Sequence, residues 1–299
     1  MIALPCIVKS ESIEVTILGI AQDGGVPQTG CSCENCIAAH SNYNLKRNSV
    51  SCGIKGKDGT FHLIEAGRNI ADQLNLWSKM MNYKKIQIPD TISITHTHLG
   101  HIEGLGQFGK EVMNLKEVPF FASKSSIQAL RKRELLSPFE CEIIESNIAF
   151  FPSIRCGFEL EFIKVPHRDE YADTHAIIIR GSNNALLFLP DHDDWRDTLE
   201  MHNCKSIREW FSKLKIDYAL IDGTFWDKNE LRDRDMSKIP HPTISETLEM
   251  LGERTDDDIE IYFFHLNHTN PVLNTSSKET VRVIELGWQI LTEGQTFTL

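Results

Sequence analysis

The sequence lacks a hydrophobic run long enough to cross a membrane, and it lacks an excess of positive charge. No apolar stretch approaches the roughly 18 residues that a membrane-spanning helix requires, so we expect no membrane partner. The formal net charge of −11 at pH 7 argues against nucleic-acid binding through broad neutralisation of phosphates. A local basic pocket for one phosphate group is still compatible with this charge.

Linkers, repeats and low-complexity segments are also missing. The 299 residues, 41% of them hydrophobic, suffice for one large core or two modest domains, and without a linker we predict a single domain over 1–299. Met1–Ser10 lacks the basic stretch and long apolar run of a signal peptide. The 8 cysteines, three of them clustered, fit metal ligands and buried thiols in a reducing compartment. We therefore expect a cytoplasmic protein.

Three histidines lie within six residues, directly after a short β-branched run. Residues 91–95 predict a strand, and residues i and i+2 of an extended segment face the same way. His96 and His98 should therefore project together from the strand end, and His101 follows as the chain turns. Neutral imidazoles so placed are common ligands for zinc and similar cations. We interpret all three as candidate metal ligands rather than as solvated loop residues.

A second candidate metal site is the pattern C-x-C-x2-C formed by Cys31, Cys33 and Cys36. Three thiolates a few residues apart suit a tetrahedral structural zinc that needs one more ligand. Unrelated core or redox cysteines are the alternative interpretation.

Polar side chains also follow later predicted strands, which alternate with predicted helices, including one over 102–113, as in layered α/β proteins. A carboxylate at a strand end can bridge two cations or complete one shell. Two histidines three residues apart in a loop need not point the same way. A lone loop histidine, by contrast, leaves a functional and a structural role open, and a mid-strand histidine is typical of a core. His167 and Asp191 are the residues that follow predicted strands. His265 and His268 are the pair in a loop, His241 is the lone loop histidine, and His175 lies within a predicted strand.

The strand-end pattern H-x-H-x-x-H, followed by a later strand-end histidine, aspartate and histidine, resembles the metallo-β-lactamase fold. The usual motif of that fold is H-x-H-x-D-H, and Gly100 stands here in place of its aspartate. The resemblance to that fold runs over nearly the whole chain. More closely, the chain resembles the coenzyme PQQ synthesis protein B (PqqB) group, which is similar to the phosphodiesterase PhnP. The segments that carry this resemblance are 18–36, 165–170, 189–191, 222–226 and 265–271.

The resemblance implies an α/β protein built as an αββα sandwich, with its metals at one edge between the two sheets. It implies a structural zinc on Cys31, Cys33, Cys36 and His268, which leaves His265 for the active site. By the same analogy the first active-site metal takes His96, His98 and His167, and the second takes His101 and His265, with Asp191 bridging. Because Gly100 removes a carboxylate, the number of active-site ions, one or two, is left open. Zinc, iron and manganese are all compatible with this set of ligands.

Metal-assisted hydrolysis is the leading functional expectation. A cation held by imidazoles lowers the pKa of bound water toward ~7, so that hydroxide can attack a phosphodiester or another ester-type small molecule. The resemblance implies that His241 contacts phosphate or protonates the leaving group, with Asp191 as the other catalytic residue. Two alternatives stay open: a PqqB-like iron-dependent oxidative enzyme of cofactor biosynthesis, and a non-catalytic metal-binding protein. A homodimer is compatible with the sequence.

Overall fold

The computed structural model describes residues 12–231 and 234–299, so the segment Met1–Ser10 lies outside the described residues. Within these ranges the chain forms two seven-stranded sheets. The strands are β1 (Glu14–Gly19), β2 (Ser51–Lys55), β3 (Phe61–Ile64), β4 (Thr91–Ser93), β5 (Val118–Ala122), β6 (Phe139–Ile143), β7 (Ala149–Phe150), β8 (Glu159–Val165), β9 (Thr174–Arg180), β10 (Ala185–Leu189), β11 (Tyr218–Asp222), β12 (Glu260–Phe264), β13 (Gln289–Ile290) and β14 (Thr296–Thr298).

The strand order delivers several chain segments to one edge of the molecule. The first sheet runs β14-β1-β2-β3-β4-β5-β6, and the second runs β13-β12-β11-β10-β9-β8-β7. The run from β3 to β6 is parallel, and so is the run from β10 to β13. The carboxyl ends of parallel strands meet at one edge of a sheet, which is where open α/β sheets hold their ligands.

Helices cover the outer faces of both sheets. Leu74 and Trp77 of one helix and Leu130 of another pack with the first sheet, whereas Trp195, Trp210 and other helical residues that follow β10 pack with the second. The predicted αββα sandwich is confirmed. The helices are α1 (Glu34–Ser41), α2 (Ile70–Met80), α3 (Leu99–Ile102), α4 (Lys124–Lys132), α5 (Trp195–Met201), α6 (Ile207–Leu214), α7 (Ile244–Leu251) and α8 (Lys278–Glu285).

The core lies between the sheets and follows from the period of two in the strands. Val15 and Ile17 of β1 pack in one buried cluster with Phe162 and Phe188 of the second sheet. Leu18 points the other way and packs in the cluster under α2. Burying each such side chain contributes about 1.5–3 kcal/mol, so the two clusters fix the sheets that carry the site.

The predicted helix over 102–113 is wrong in extent. Helix α3 ends at Ile102, and Glu103–Phe108 continues as a 3₁₀ helix. A Cβ atom at Gly104 would lie 2.2 Å from the carbonyl oxygen of Gly67, so the chain makes a close backbone approach here that glycine permits. Among the described helices the longest, α2, has 11 residues, and none combines the length and apolarity needed to cross a bilayer.

Candidate metal centre

The carboxylate of Asp191 lies at the centre of a buried histidine cluster. Asp191 follows β10, whose five residues are all buried, and it comes just after the end of that apolar run. Its Oδ2 atom lies 2.9 Å from Nε2 of His101 and 3.4 Å from Nε2 of His265. In all, five imidazoles approach this carboxylate within 3.8 Å: His96, His101, His167, His241 and His265.

A group of three imidazoles forms one side of the cluster. Nε2 of His96 lies 2.9 Å from Nδ1 of His98, which lies 3.2 Å from Nε2 of His167. Nitrogen ligands of a tetrahedral zinc, at about 2.0–2.1 Å from the metal, are about 3.3 Å apart. The observed spacing is therefore close to that of three ligands converging on one cation.

The orientation of His96 is set by Glu65, which the sequence analysis did not identify. The carboxylate of Glu65 accepts hydrogen bonds from the amide of Thr95 at 3.0 Å and from its hydroxyl at 2.5 Å. That hydroxyl, having given its proton, accepts from Nδ1 of His96 at 2.9 Å. Nε2 of His96 then keeps its lone pair for the cluster. A charged residue directly after the apolar strand β3 was the available sequence signal.

The same arrangement recurs at His265, through Asp222 at the end of β11. The hydroxyl of Thr224 donates to Oδ1 of Asp222 at 2.7 Å and lies 2.9 Å from Nδ1 of His265. The hydroxyl can therefore accept the Nδ1 proton, which leaves Nε2 of His265 unprotonated toward Asp191. Asp222 belongs to a segment that carries the family resemblance, but its role here was not predicted.

His241, left open as a lone loop histidine, lies in the cluster. Its Nδ1 atom is 2.8 Å from Oδ2 of Asp222 and 3.6 Å from Oδ1 of Asp191. His175 lies elsewhere, with Nε2 2.8 Å from the hydroxyl of Ser146, as expected for a core residue.

The buried charges of the cluster fit a divalent cation. Glu65, Asp191 and Asp222 are buried to 3% exposure or less, and buried carboxylates are costly without positive partners. Burial alone would raise the pKa of Asp191, but His265 and His101 outweigh it, so the pKa lies well below the usual value. Burial lowers the pKa of His98 to about 4, which keeps this imidazole neutral, the state that a metal ligand needs.

Two buried atoms of the cluster, Oδ2 of Asp191 and Nε2 of His265, lie 3.4 Å apart. Neither makes a hydrogen bond of good geometry among the described residues, although Nε2 of His101 lies 2.9 Å from Oδ2 of Asp191. Buried polar atoms are nearly always partnered in proteins. The donor set of imidazoles and carboxylates therefore fits zinc, iron or manganese.

The cysteine cluster meets His268, not His265. Nδ1 of His268 lies 3.3 Å, 3.4 Å and 3.6 Å from the Sγ atoms of Cys31, Cys33 and Cys36. Sulfur and nitrogen ligands of a tetrahedral zinc are about 3.5 Å apart. The amide of Gln28 also donates to Sγ of Cys36 at 3.3 Å. These four residues fit a closed structural zinc site.

An open cleft of about 710 Å³ is lined by Cys31 and His268 of the cysteine cluster. Its wall includes Asp23, Arg168, Arg234 and His268. The positive charge of Arg168 acts on both His98 and His241, so the guanidinium stands beside the histidine cluster. Its Nε atom is buried and has no hydrogen-bond partner among the described residues. The cleft can therefore offer a cation to an anionic group.

Comparison with known proteins agrees with this fold. The sequence model of the Beta-lactamase superfamily domain matches residues 61–265. The chain is 24% identical to coenzyme PQQ synthesis protein B of Bradyrhizobium diazoefficiens, over 96% of this chain and 100% of that protein. It is also 24% identical to the protein of that name from Methylorubrum extorquens, over 96% of this chain and 100% of the other.

Solved structures show the same architecture. The crystal structure of Zn²⁺-bound PqqB from Methylobacterium extorquens superposes with a TM-score of 0.72 at 21% identity, covering 96% of this chain and 100% of that one. A diphosphatase of the PhnP family superposes with a TM-score of 0.62 at 19% identity, covering 97% and 98%. These likenesses establish a shared fold.

Proposed function

Because the chain belongs to the beta-lactamase superfamily, we propose that it is a metal-dependent hydrolase of phosphodiesters or related esters, with zinc as its metal. The proposed ligands are His96, His98 and His167 for one active-site ion, and His101 and His265 for another, with Asp191 between them. Cys31, Cys33, Cys36 and His268 are the proposed ligands of a structural zinc.

The observation that carries the proposal is the position of Asp191. Its carboxylate lies among imidazoles that come from four different loops, near residues 96–101, 167, 241 and 265. A hydrophobic core gains nothing from such a convergence, because each buried polar group costs free energy unless it is paired. A bridging carboxylate between two ligand groups is the arrangement that dinuclear hydrolytic centres use.

When bound, a divalent cation polarises a substrate oxygen and lowers the pKa of water toward about 7. The chain's own residues would complete the site. Glu65 and Asp222 hold His96 and His265 in the ligand tautomer through threonine hydroxyls. His241 lies beside Asp191 and can give a proton to a leaving group.

The cleft supports a small-molecule substrate that carries a phosphate group. A volume of about 710 Å³ lies within the range of about 300–1,000 Å³ usual for small-molecule sites. The unpartnered Nε of Arg168 can donate a charge-assisted hydrogen bond, which suits a phosphate oxygen. The similarity to a PhnP-family diphosphatase supports a phosphate-containing small molecule.

A role in the synthesis of the cofactor PQQ is the second candidate, supported by the similarity to PQQ synthesis protein B along 96% of the chain. Imidazoles with carboxylates and open positions also suit iron. Iron found after anaerobic purification, with oxygen consumption on a peptide substrate, would favour this candidate. The described cysteines form no disulfide, which supports a reducing, cytoplasmic setting.

Turnover of a defined panel tests the proposal. Zinc-loaded protein is assayed with bis(4-nitrophenyl) phosphate, a diphosphate diester, a lactone and a thioester, beside the variants Asp191→Asn and His40→Ala. We expect phosphodiester turnover in the wild type and in His40→Ala, which changes an exposed histidine of α1, and its loss in Asp191→Asn. The proposal fails if no panel member is hydrolysed, or if Asp191→Asn retains full activity.

A further inference from the structure

We propose that Asp23, in the loop after β1, is a ligand of the second active-site cation and supplies the carboxylate that Gly100 cannot. This inference rests on the metal centre of the proposed function. That centre gives the second cation His101, His265 and the shared Asp191, which leaves one position of a tetrahedral shell for a further ligand or for water.

The space beside Gly100 is filled by Asp23. A Cβ atom built on Gly100 would lie 2.5 Å from Oδ1 and 2.4 Å from Cα of Asp23. In an aspartate the carboxylate oxygens are about 2.4 Å from their own Cβ, given bonds of about 1.5 Å and 1.2 Å. An oxygen of Asp23 is therefore as far from this point as the oxygen of an aspartate at position 100 would be. Only glycine at position 100 leaves room for it.

The backbone at Asp23 is held in an uncommon conformation. Its φ is 35°, on the left-handed side that non-glycine residues rarely adopt and that costs about 1–3 kcal/mol. Strained residues of this kind concentrate at ligand sites. This backbone conformation places the carboxylate of Asp23 against Gly100, in the helix that carries His101.

The loop that carries Asp23 is fixed to the segment that carries His265. The amide of Gln22 donates to the carbonyl oxygen of Leu266 at 3.0 Å, and the amide of Leu266 donates to that of Ile20 at 2.8 Å. Asp23 is therefore held near both segments that carry histidines of the second cation: it lies against Gly100, which precedes His101, and its neighbour Gln22 is bonded to Leu266, which follows His265. Asp23 is also exposed along the open cleft, so its side chain has space to turn toward a bound ion.

Metal content tests this assignment without reference to activity. Protein is dialysed against buffers of fixed free zinc, and zinc per chain is measured by mass spectrometry. We expect about three ions in the wild type, one on the cysteines and two in the histidine cluster. Asp23→Asn keeps the shape but removes the charge, and we expect it to bind the weakest ion at least tenfold less tightly.

Two further variants make the result specific. His101→Ala should lose the same ion. Asp256→Asn, in the exposed turn before β12 and so at the opposite edge of the sheet, should bind all three as the wild type does. Retention of the cysteine-bound ion in every variant shows that the fold is intact.

The assignment is overturned if Asp23→Asn binds zinc with unchanged stoichiometry and affinity, or if the wild type takes only one ion in the histidine cluster. If Asp23→Asn loses the ion while no panel ester is hydrolysed by the wild type, the assignment of Asp23 holds and the proposed hydrolase function fails.

Discussion

Nδ1 of His241 lies 2.8 Å from Oδ2 of Asp222, and both residues are buried. Burial alone would lower the pKa of this imidazole, but the charge and hydrogen bond of Asp222 outweigh it and raise the pKa of His241 above its usual value. A histidine with a raised pKa holds its proton to higher pH and can donate it to a leaving group. The pair therefore gives the proposed reaction its acid.

Replacing His241 tests that role. We expect His241→Ala to lower kcat by about 10²–10⁴-fold, the usual range for a lost general acid, with zinc content unchanged. Asp222→Asn should move the alkaline limb of the kcat profile to lower pH, because it removes the charge that raises the pKa of His241. The control is His40→Ala. Full activity in His241→Ala, with zinc retained, would exclude His241 as the general acid.

Arg168 is expected to act in binding rather than in chemistry. Arg168→Gln should raise KM for a phosphodiester about 10–100-fold with a smaller change in kcat, since a hydrogen bond to a charged group is worth about 1.5–3 kcal/mol. Arg196→Gln is the matched control, because the side chain of Arg196 is 82% exposed. Steady-state kinetics on both variants measures KM. An unchanged KM in Arg168→Gln would exclude a contact between Arg168 and the phosphate of the substrate.

The cysteine cluster should stabilise the fold rather than the reaction. Cys36→Ser is expected to remove one zinc per chain and to lower the free energy of unfolding by about 2–4 kcal/mol, because metal binding is coupled to folding. Cys141→Ser changes a half-buried thiol on β6 and should leave zinc content unchanged. Urea unfolding with metal analysis measures both. A zinc content in Cys36→Ser equal to that of the wild type would refute the structural site.

Glu293 makes stability depend on pH. Burial raises the pKa of Glu293 to about 7, against an ordinary value of 4.5. The folded protein therefore keeps this proton after the unfolded chain has released it, so the free energy of unfolding falls as pH rises from about 4.5 to 7.

Glu293→Gln removes that decline. The difference in free energy of unfolding, variant minus wild type, should be about 1–3 kcal/mol larger at pH 8 than at pH 4. Denaturant titrations at the two pH values measure the difference. The same change at the exposed Glu285 controls for the loss of a charge, and an equal effect at both positions would remove the explanation by burial.

The sequence predicted the strand ends better than it predicted what supports them. His96, His98, His167 and Asp191 each follow an apolar strand, and this pattern alone marks them as candidates. Their convergence depends on strand order, which a single sequence does not contain. The family resemblance supplied it.

The supporting residues could not be predicted in the same way. Glu65 and Asp222 act through threonine hydroxyls, and a strand-end acid looks the same whether it binds a metal, orients a histidine or faces water. The short strands β7 and β13 have two residues each, too few for a periodic pattern. The 102–113 helix was overestimated because the close contact at Gly104 is a tertiary feature.

The central claim is that side chains from position 96 to position 265 bind metal at one place. Anomalous diffraction at the zinc edge, from crystals grown with zinc, tests it most directly. We predict one peak among His96, His98 and His167, a second beside His101 and His265 with Asp191 between the two, and a third at the cysteine cluster. The absence of any peak within the histidine cluster would contradict the account.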